Sequence, residues 1–116
     1  MIKSERLIIE QVDVENKKIF LMKLKHNLDQ IGQITIMDNG EIRYECNLKK
    51  EGYSTEAMKA IKQHILEDGE IYTLYIKENN EPSLNFANKL GFQYTGLSSS
   101  EDNDYLKFEY ISHNKK

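Results

Sequence analysis

Apolar residues near the start of the chain recur every second position. The alternation covers residues 5–12 and again 18–25, where Phe20, Met22 and Leu24 share one face and Leu21, Lys23 and Lys25 the other. A period of two predicts strands with one buried face, although a short helix over 18–25 fits the same letters. Residues 30–37 and 41–47 flank Asp38-Asn39-Gly40, whose Asn-Gly step marks a hairpin, and His26-Asn27-Leu28-Asp29 supplies the preceding turn. The first half therefore reads as an antiparallel meander.

The period then changes. Ala57, Met58, Ile61 and Ile65 stand at helical spacing, predicting a helix over 54–68 that Gly69 ends in a left-handed conformation. Residues 70–77 read as a strand. Asn80 is placed to cap a second helix with Pro82 in its first turn, an apolar stripe of Leu84, Phe86, Ala87 and Leu90, and Gly91 at its close. Residues 92–97 and 105–111 form a last hairpin around the polar turn 98–104. This order predicts an α/β (α+β) layer arrangement, two helices on a mixed, mostly antiparallel sheet.

At 116 residues the chain is expected to be one domain, 1–116, and with 39% hydrophobic and 30% charged residues it can bury a core. A net charge of −3, with nearly all basic residues lysine, argues against broad nucleic-acid binding. The single cysteine, Cys46, cannot form an internal disulfide and sits in an apolar strand, where a buried structural thiol is expected. His26, His64 and His113 lack metal-ligand spacing, so no metal is expected. No apolar run reaches the roughly 20 residues that cross a bilayer and no signal-peptide pattern opens the chain, so a cytoplasmic protein without membrane contact is expected. Ile19 and Leu21, taken as exposed strand positions, fit a homodimer, edge pairing or surface scatter equally well.

Residues 49–57, Lys-Lys-Glu-Gly-Tyr-Ser-Thr-Glu-Ala, carry the candidate chemistry. A helix start leaves backbone N–H groups without partners and bears partial positive charge, so a glycine loop leading into it can wrap a phosphate. Gly52 allows close backbone approach, Ser54 and Thr55 are candidate caps, and Lys49 and Lys50 add positive charge. An ordinary helix start with solvated lysines reads the same letters.

The ordered run from Gly32 to Phe92 resembles the GNAT superfamily of acetyl-CoA-dependent N-acetyltransferases. The residues carrying the likeness are Ile31-Gly32-Gln33-Ile34-Thr35-Ile36, the Ile42-Arg43-Tyr44 strand, the 49–57 loop, Asn80 with Ser83, and Leu90-Gly91-Phe92. Ser4-Glu5-Arg6-Leu7-Ile8-Ile9 is similar to the family's first strand. Asn-x-x-Ser with Leu-Gly-Phe points to the branch that acetylates ribosomal-protein N-termini and small amines. Several positions depart from the family: Lys49 replaces Arg or Gln, Lys50 and Ser54 replace small residues, Tyr44 stands about two residues nearer the loop, and Ala87 replaces a proton-donating tyrosine. The five residues 13–17 also replace the first two family helices, which usually wall the acceptor site.

The resemblance implies direct transfer of an acetyl group from acetyl-CoA to a primary amine, on a small molecule or a peptide N-terminus. Main-chain groups near Cys46, Asn47 and Leu48 would pair with the pantetheine arm. Lys49, Lys50, Gly52, Tyr53, Ser54 and Thr55 would surround the pyrophosphate, with Lys50 and Glu51 weakening its binding. Asn80 would contact the arm and Ser83 would serve as the acid, while Glu45 and Glu41 are candidate bases. Tyr53, read mainly as packing, and Tyr94 are further aromatics near the expected site. The alternative is a catalytically weak acyl-CoA-binding relative acting as sensor, subunit or interaction module.

Overall fold

The computed structural model describes residues 1–48, 52–64, 69–97 and 105–111. Strands β1 (Ile2–Lys3), β2 (Leu7–Val14), β3 (Lys17–Leu24), β4 (Gln30–Met37) and β5 (Ile42–Cys46) form one antiparallel sheet in chain order. Helix α1 (Tyr53–His64) leads on to β6 (Ile71–Lys77), and helix α2 (Glu81–Lys89) to β7 (Gln93–Leu97) and β8 (Tyr105–Ile111). The last three strands make a second antiparallel sheet in which β8 lies between β6 and β7.

The alternation read from the sequence sets the register. Leu7 faces Leu24, Ile9 faces Met22, Phe20 faces Ile34 and Ile36 faces Ile42, so one side of the larger sheet is a continuous apolar surface. Helix α1 packs on this sheet and buries Ala57, Met58, Ala60 and Ile61 in the same core. Helix α2 packs against β6 and meets α1. There the Lys62 ammonium donates to the Leu90 carbonyl at 2.6 Å and lies over the Tyr110 ring. A cation at that carbonyl neutralises the negative end of α2. Burial, and secondarily Lys59, pushes the Lys62 pKa down.

Two details differ from the sequence reading. β1 was not foreseen, because two residues carry no period. Ile19 and Leu21 are half-buried, and the exposed apolar residues of the first hairpin are Val12 and Val14. Ile65 and residues 98–104 lie outside the described residues, as does His113.

The link between β2 and β3 is only Glu15-Asn16, since Val14 pairs directly with Lys17. No helix intervenes there to cover the outer face of the larger sheet. The expected interval without helices is thus observed as a tight hairpin.

Candidate active site

The two sheets meet at one point. Glu41 and Thr73 form a parallel bridge, and the Thr73 N–H donates to the Gly40 carbonyl at 2.9 Å. Beyond it, among the described residues, no further bridge joins β5 to β6. The strands therefore splay toward their C-terminal ends, leaving a cleft of about 1310 Å³.

Both helices start at the open end of this cleft. α1 begins after β5 and α2 after β6, so the chain path brings two sets of helix-start N–H groups to one mouth. At α1, Gly52 has φ +74° and its carbonyl accepts from the Glu56 N–H. At α2, Asn80 Oδ1 accepts from the Ser83 N–H at 3.3 Å, and Pro82 occupies the first turn. The Asn80 cap is as the sequence reads. Ser54 and Thr55 are not caps: the helix begins at Tyr53, which puts them inside the first turn and gives the cap position to Gly52.

The start of α1 is held from the opposite side of the chain. Glu56 accepts from Ser4 Oγ at 2.6 Å, from the Arg6 N–H at 2.8 Å and from Arg6 Nε at 2.7 Å. Arg6 also stacks over Tyr53, 4.1 Å from the ring centroid, which supports the packing role read for Tyr53. Burial pushes the Glu56 carboxyl pKa up, but these donors outweigh it and hold the group below its ordinary 4.5. A carboxylate with a depressed folded pKa stabilises the fold above its unfolded pKa, and that contribution disappears as pH falls through the folded value. Glu56→Gln is therefore expected to lower stability by about 1–2 kcal/mol at pH 7, discounted for the exposed Arg6, with the difference from wild type shrinking below pH 4.5. Thermal melts of both proteins from pH 7 to pH 3 check this, and a constant difference across that range would contradict it.

Nearly all the site residues expected from the sequence line the cleft: Glu41, Glu45, Cys46, Asn47, Leu48, Gly52, Tyr53, Ser54, Thr55, Asn80 and Ser83. Lys49 and Lys50 lie outside the described residues. The strand pleat divides the β5 residues between two faces. Tyr44 and Cys46 pack toward the core and the helices, whereas Arg43 and Glu45 point outward. Glu41 is ion-paired to Arg43 at 2.9 Å, and among the described residues no ion pair engages Glu45.

Two expectations change, and two further residues take their place from the fold. Cys46 is half-buried rather than buried, and its thiol approaches the Leu48 carbonyl at 3.4 Å on the cleft wall. Tyr94 does not line the cleft, because β7 is the far edge of the smaller sheet, where Tyr94 stands exposed against Phe108. Ala87 is fully buried, as its place in the apolar stripe predicts, and does not line the cleft, where α2 presents Ser83 and Phe86. Tyr44 is the residue whose place the sequence reading missed: its Oη lies 2.5 Å from Ser83 Oγ, and its ring stacks on Phe86 with centroids 4.1 Å apart. Its position one strand residue from Glu45 was the available signal, but the partner on α2 depends on the fold.

A smaller concavity of about 410 Å³ lies around the β2–β3 turn and the β4–β5 turn, and it contains none of these residues. Among the described residues no group of His, Cys, Asp and Glu is placed to hold a metal ion, and no helix is long and apolar enough to cross a membrane.

The profile of the FR47-like protein family matches residues 30–100, which spans β4, β5, both helices and all of the cleft lining but Tyr105. The chain belongs to the FR47-like family. This GNAT-related assignment agrees with the fold, since solved GNAT acetyltransferases superpose on the FR47-like chain at low identity. A GNAT-family acetyltransferase from Bacillus anthracis gives a TM-score of 0.70 at 17% identity, covering 96% of this chain and 98% of its own. The ribosomal-protein-S5-alanine acetyltransferase from Vibrio fischeri gives 0.67 at 17%, covering 86% and 64%. The microcin C7 self-immunity acetyltransferase, solved with acetyl-CoA and AMP, gives 0.65 at 16%, covering 83% and 61%. The FR47-like chain thus spans less than two thirds of the length of the last two. No curated protein sequence matches it.

Proposed function

We propose that this protein is an acetyl-CoA-dependent N-acetyltransferase that moves an acetyl group directly to a primary amine. The observation carrying this reading is the splay between β5 and β6, with the N-terminal ends of α1 and α2 at its mouth. The amides at Gly52 to Thr55 hold the pyrophosphate, and the main chain at Cys46, Asn47 and Leu48 pairs with the pantetheine arm. Asn80 orients the arm near α2. The family membership and the acetyl-CoA complex of a structural relative support the choice of donor.

The acceptor amine approaches from the outer face of the larger sheet, where Glu45 stands beside the cleft. Glu45 is the stronger candidate base, since the Glu41 carboxylate is committed to Arg43. Ser83 serves as donor toward the leaving sulfur. Acceptors are peptide N-termini or small amines, in line with the ribosomal-protein acetyltransferase among the relatives.

Calorimetry with CoA tests the donor site, and single-turnover transfer to a panel of amines tests the reaction. No heat at millimolar CoA with folded protein would remove the donor site. Ser83→Ala separates two roles for that residue. A proton donor acts as the bond breaks, so its loss lowers the transfer rate with CoA affinity nearly intact. A residue that only ties α2 to β5 through its hydrogen bond with Tyr44 would instead lower melting temperature and affinity together, with about 0.5–1.5 kcal/mol at stake.

A second reading follows from the short Glu15-Asn16 turn, which leaves the acceptor side without a helical wall. Under it the protein binds acyl-CoA as a sensor, subunit or interaction module. CoA binding without transfer to any amine selects this reading.

A further inference from the structure

Ser83 has one hydroxyl proton, and its direction decides what the residue can do in the cleft. If that proton points at Tyr44, Ser83 offers a ligand only a lone pair. If Tyr44 supplies the proton between the two oxygens, the Ser83 O–H is left for the cleft. The 2.5 Å separation fixes the contact and allows either oxygen to donate, so relative acidity is what favours one direction. A phenol, with pKa about 10, is far more acidic than an aliphatic hydroxyl and is the natural donor of the pair.

Tyr44 is held in place on both sides. Its strand register sets it opposite buried Ile34, and its ring lies on Phe86 at an interplanar angle of 22°. The main chain of Ser83 is fixed separately, by the Asn80 side chain. The two oxygens come from different elements, 39 residues apart in sequence, and meet inside the cleft.

We propose that Tyr44 is a positioning residue: its phenol donates to Ser83 Oγ and so aims the Ser83 hydroxyl proton at a thiol sulfur bound in the cleft. The proposal rests on the acetyl-transfer reading above. In that reaction the amine nitrogen bonds to the acyl carbon, the C–S bond breaks and its electron pair moves to sulfur. The nitrogen loses its proton to Glu45 or water. Ser83 O–H then stabilises the departing thiolate, and the hydrogen bond it accepts from Tyr44 makes it a stronger donor. Burial pushes the Tyr44 pKa up against the opposing effect of Ser83, which keeps the phenol protonated through neutral pH.

The test compares CoA with a CoA analogue carrying hydrogen in place of the thiol, by calorimetry on wild type, Tyr44→Phe, Ser83→Ala and the double variant. Wild type is expected to prefer CoA by about two- to tenfold, the range of one hydrogen bond. Tyr44→Phe keeps the ring on Phe86, so it should lose most of that preference while binding the thiol-free analogue as wild type does. The double variant should lose no more than Ser83→Ala alone, a coupling that independent packing roles would not produce. Single-turnover acetyl transfer by Tyr44→Phe should fall by a similar factor. An unchanged CoA preference in Tyr44→Phe, or additive losses in the double variant, would overturn the proposal. Thiol preference without transfer in wild type would defeat the reaction and leave the positioning role standing on binding. Failure of wild type to bind either ligand would overturn both.

Discussion

Gly32→Val is expected to break the pairing of β4 with β5 and to lower the melting temperature by roughly 10 to 20 °C, as a loss near 3 kcal/mol does in a domain of this size. A Cβ at position 32 would lie 2.2 Å from the Glu45 carbonyl oxygen and 2.8 Å from the Cys46 Cα. Both are backbone atoms of the strand that walls the cleft, so neither can rotate away. Gly32→Ala is expected to lose nearly as much, because the clash begins at Cβ. This result separates close approach from strand propensity, under which both replacements would stabilise a strand relative to glycine. Circular-dichroism melts decide it, and an unchanged or raised melting temperature for Gly32→Ala would refute the close approach. Gly32 thus carries both a fold role and a site role: it lets β5 run close to β4 where Cys46 enters the cleft.

At Gly52 the limit is conformational, not spatial. Among the described residues the one atom near its missing Cβ is an Arg6 guanidinium nitrogen at 3.8 Å, an ordinary contact, but φ is +74°. An L-residue in the left-handed region costs about 1–2 kcal/mol, and a β-branched side chain fits there worst. Gly52→Val must either carry that strain or turn the loop to negative φ, which redirects the amides of the α1 start away from the cleft. CoA affinity is therefore expected to fall about tenfold or more, with Gly52→Asn retaining more than Gly52→Val because asparagine tolerates this region. Calorimetry on the three proteins checks the order. Equal affinity for all three would return the loop to an ordinary helix start with no phosphate role.

The local elements were legible because each rests on near neighbours. Period two gave β2 through β5, Asn39-Gly40 gave their turn, and Asn80 with Pro82 gave the start of α2, since a cap and its N–H lie three residues apart. The start of α1 was read too far along, as Ser54 and Thr55 look like caps until Gly52 is seen to hold the cap position. The likeness of residues 32–92 to the GNAT superfamily supplied the cleft residues, and it did so because the motif residues are contiguous in short blocks.

The sequence by itself determined strands β2 to β8, both helices, the apolar face and the set of residues around the α1 start. Only the tertiary structure decided which groups meet. The Glu56 carboxylate reaches Ser4 and Arg6 about 50 residues away, and Tyr44 reaches Ser83 across 39. Tyr94 falls on a distant edge because β8 inserts between β6 and β7. Periodicity assigns a side chain to a face, whereas a partner on another element is fixed by how strands pair and helices pack, which is a property of the whole chain.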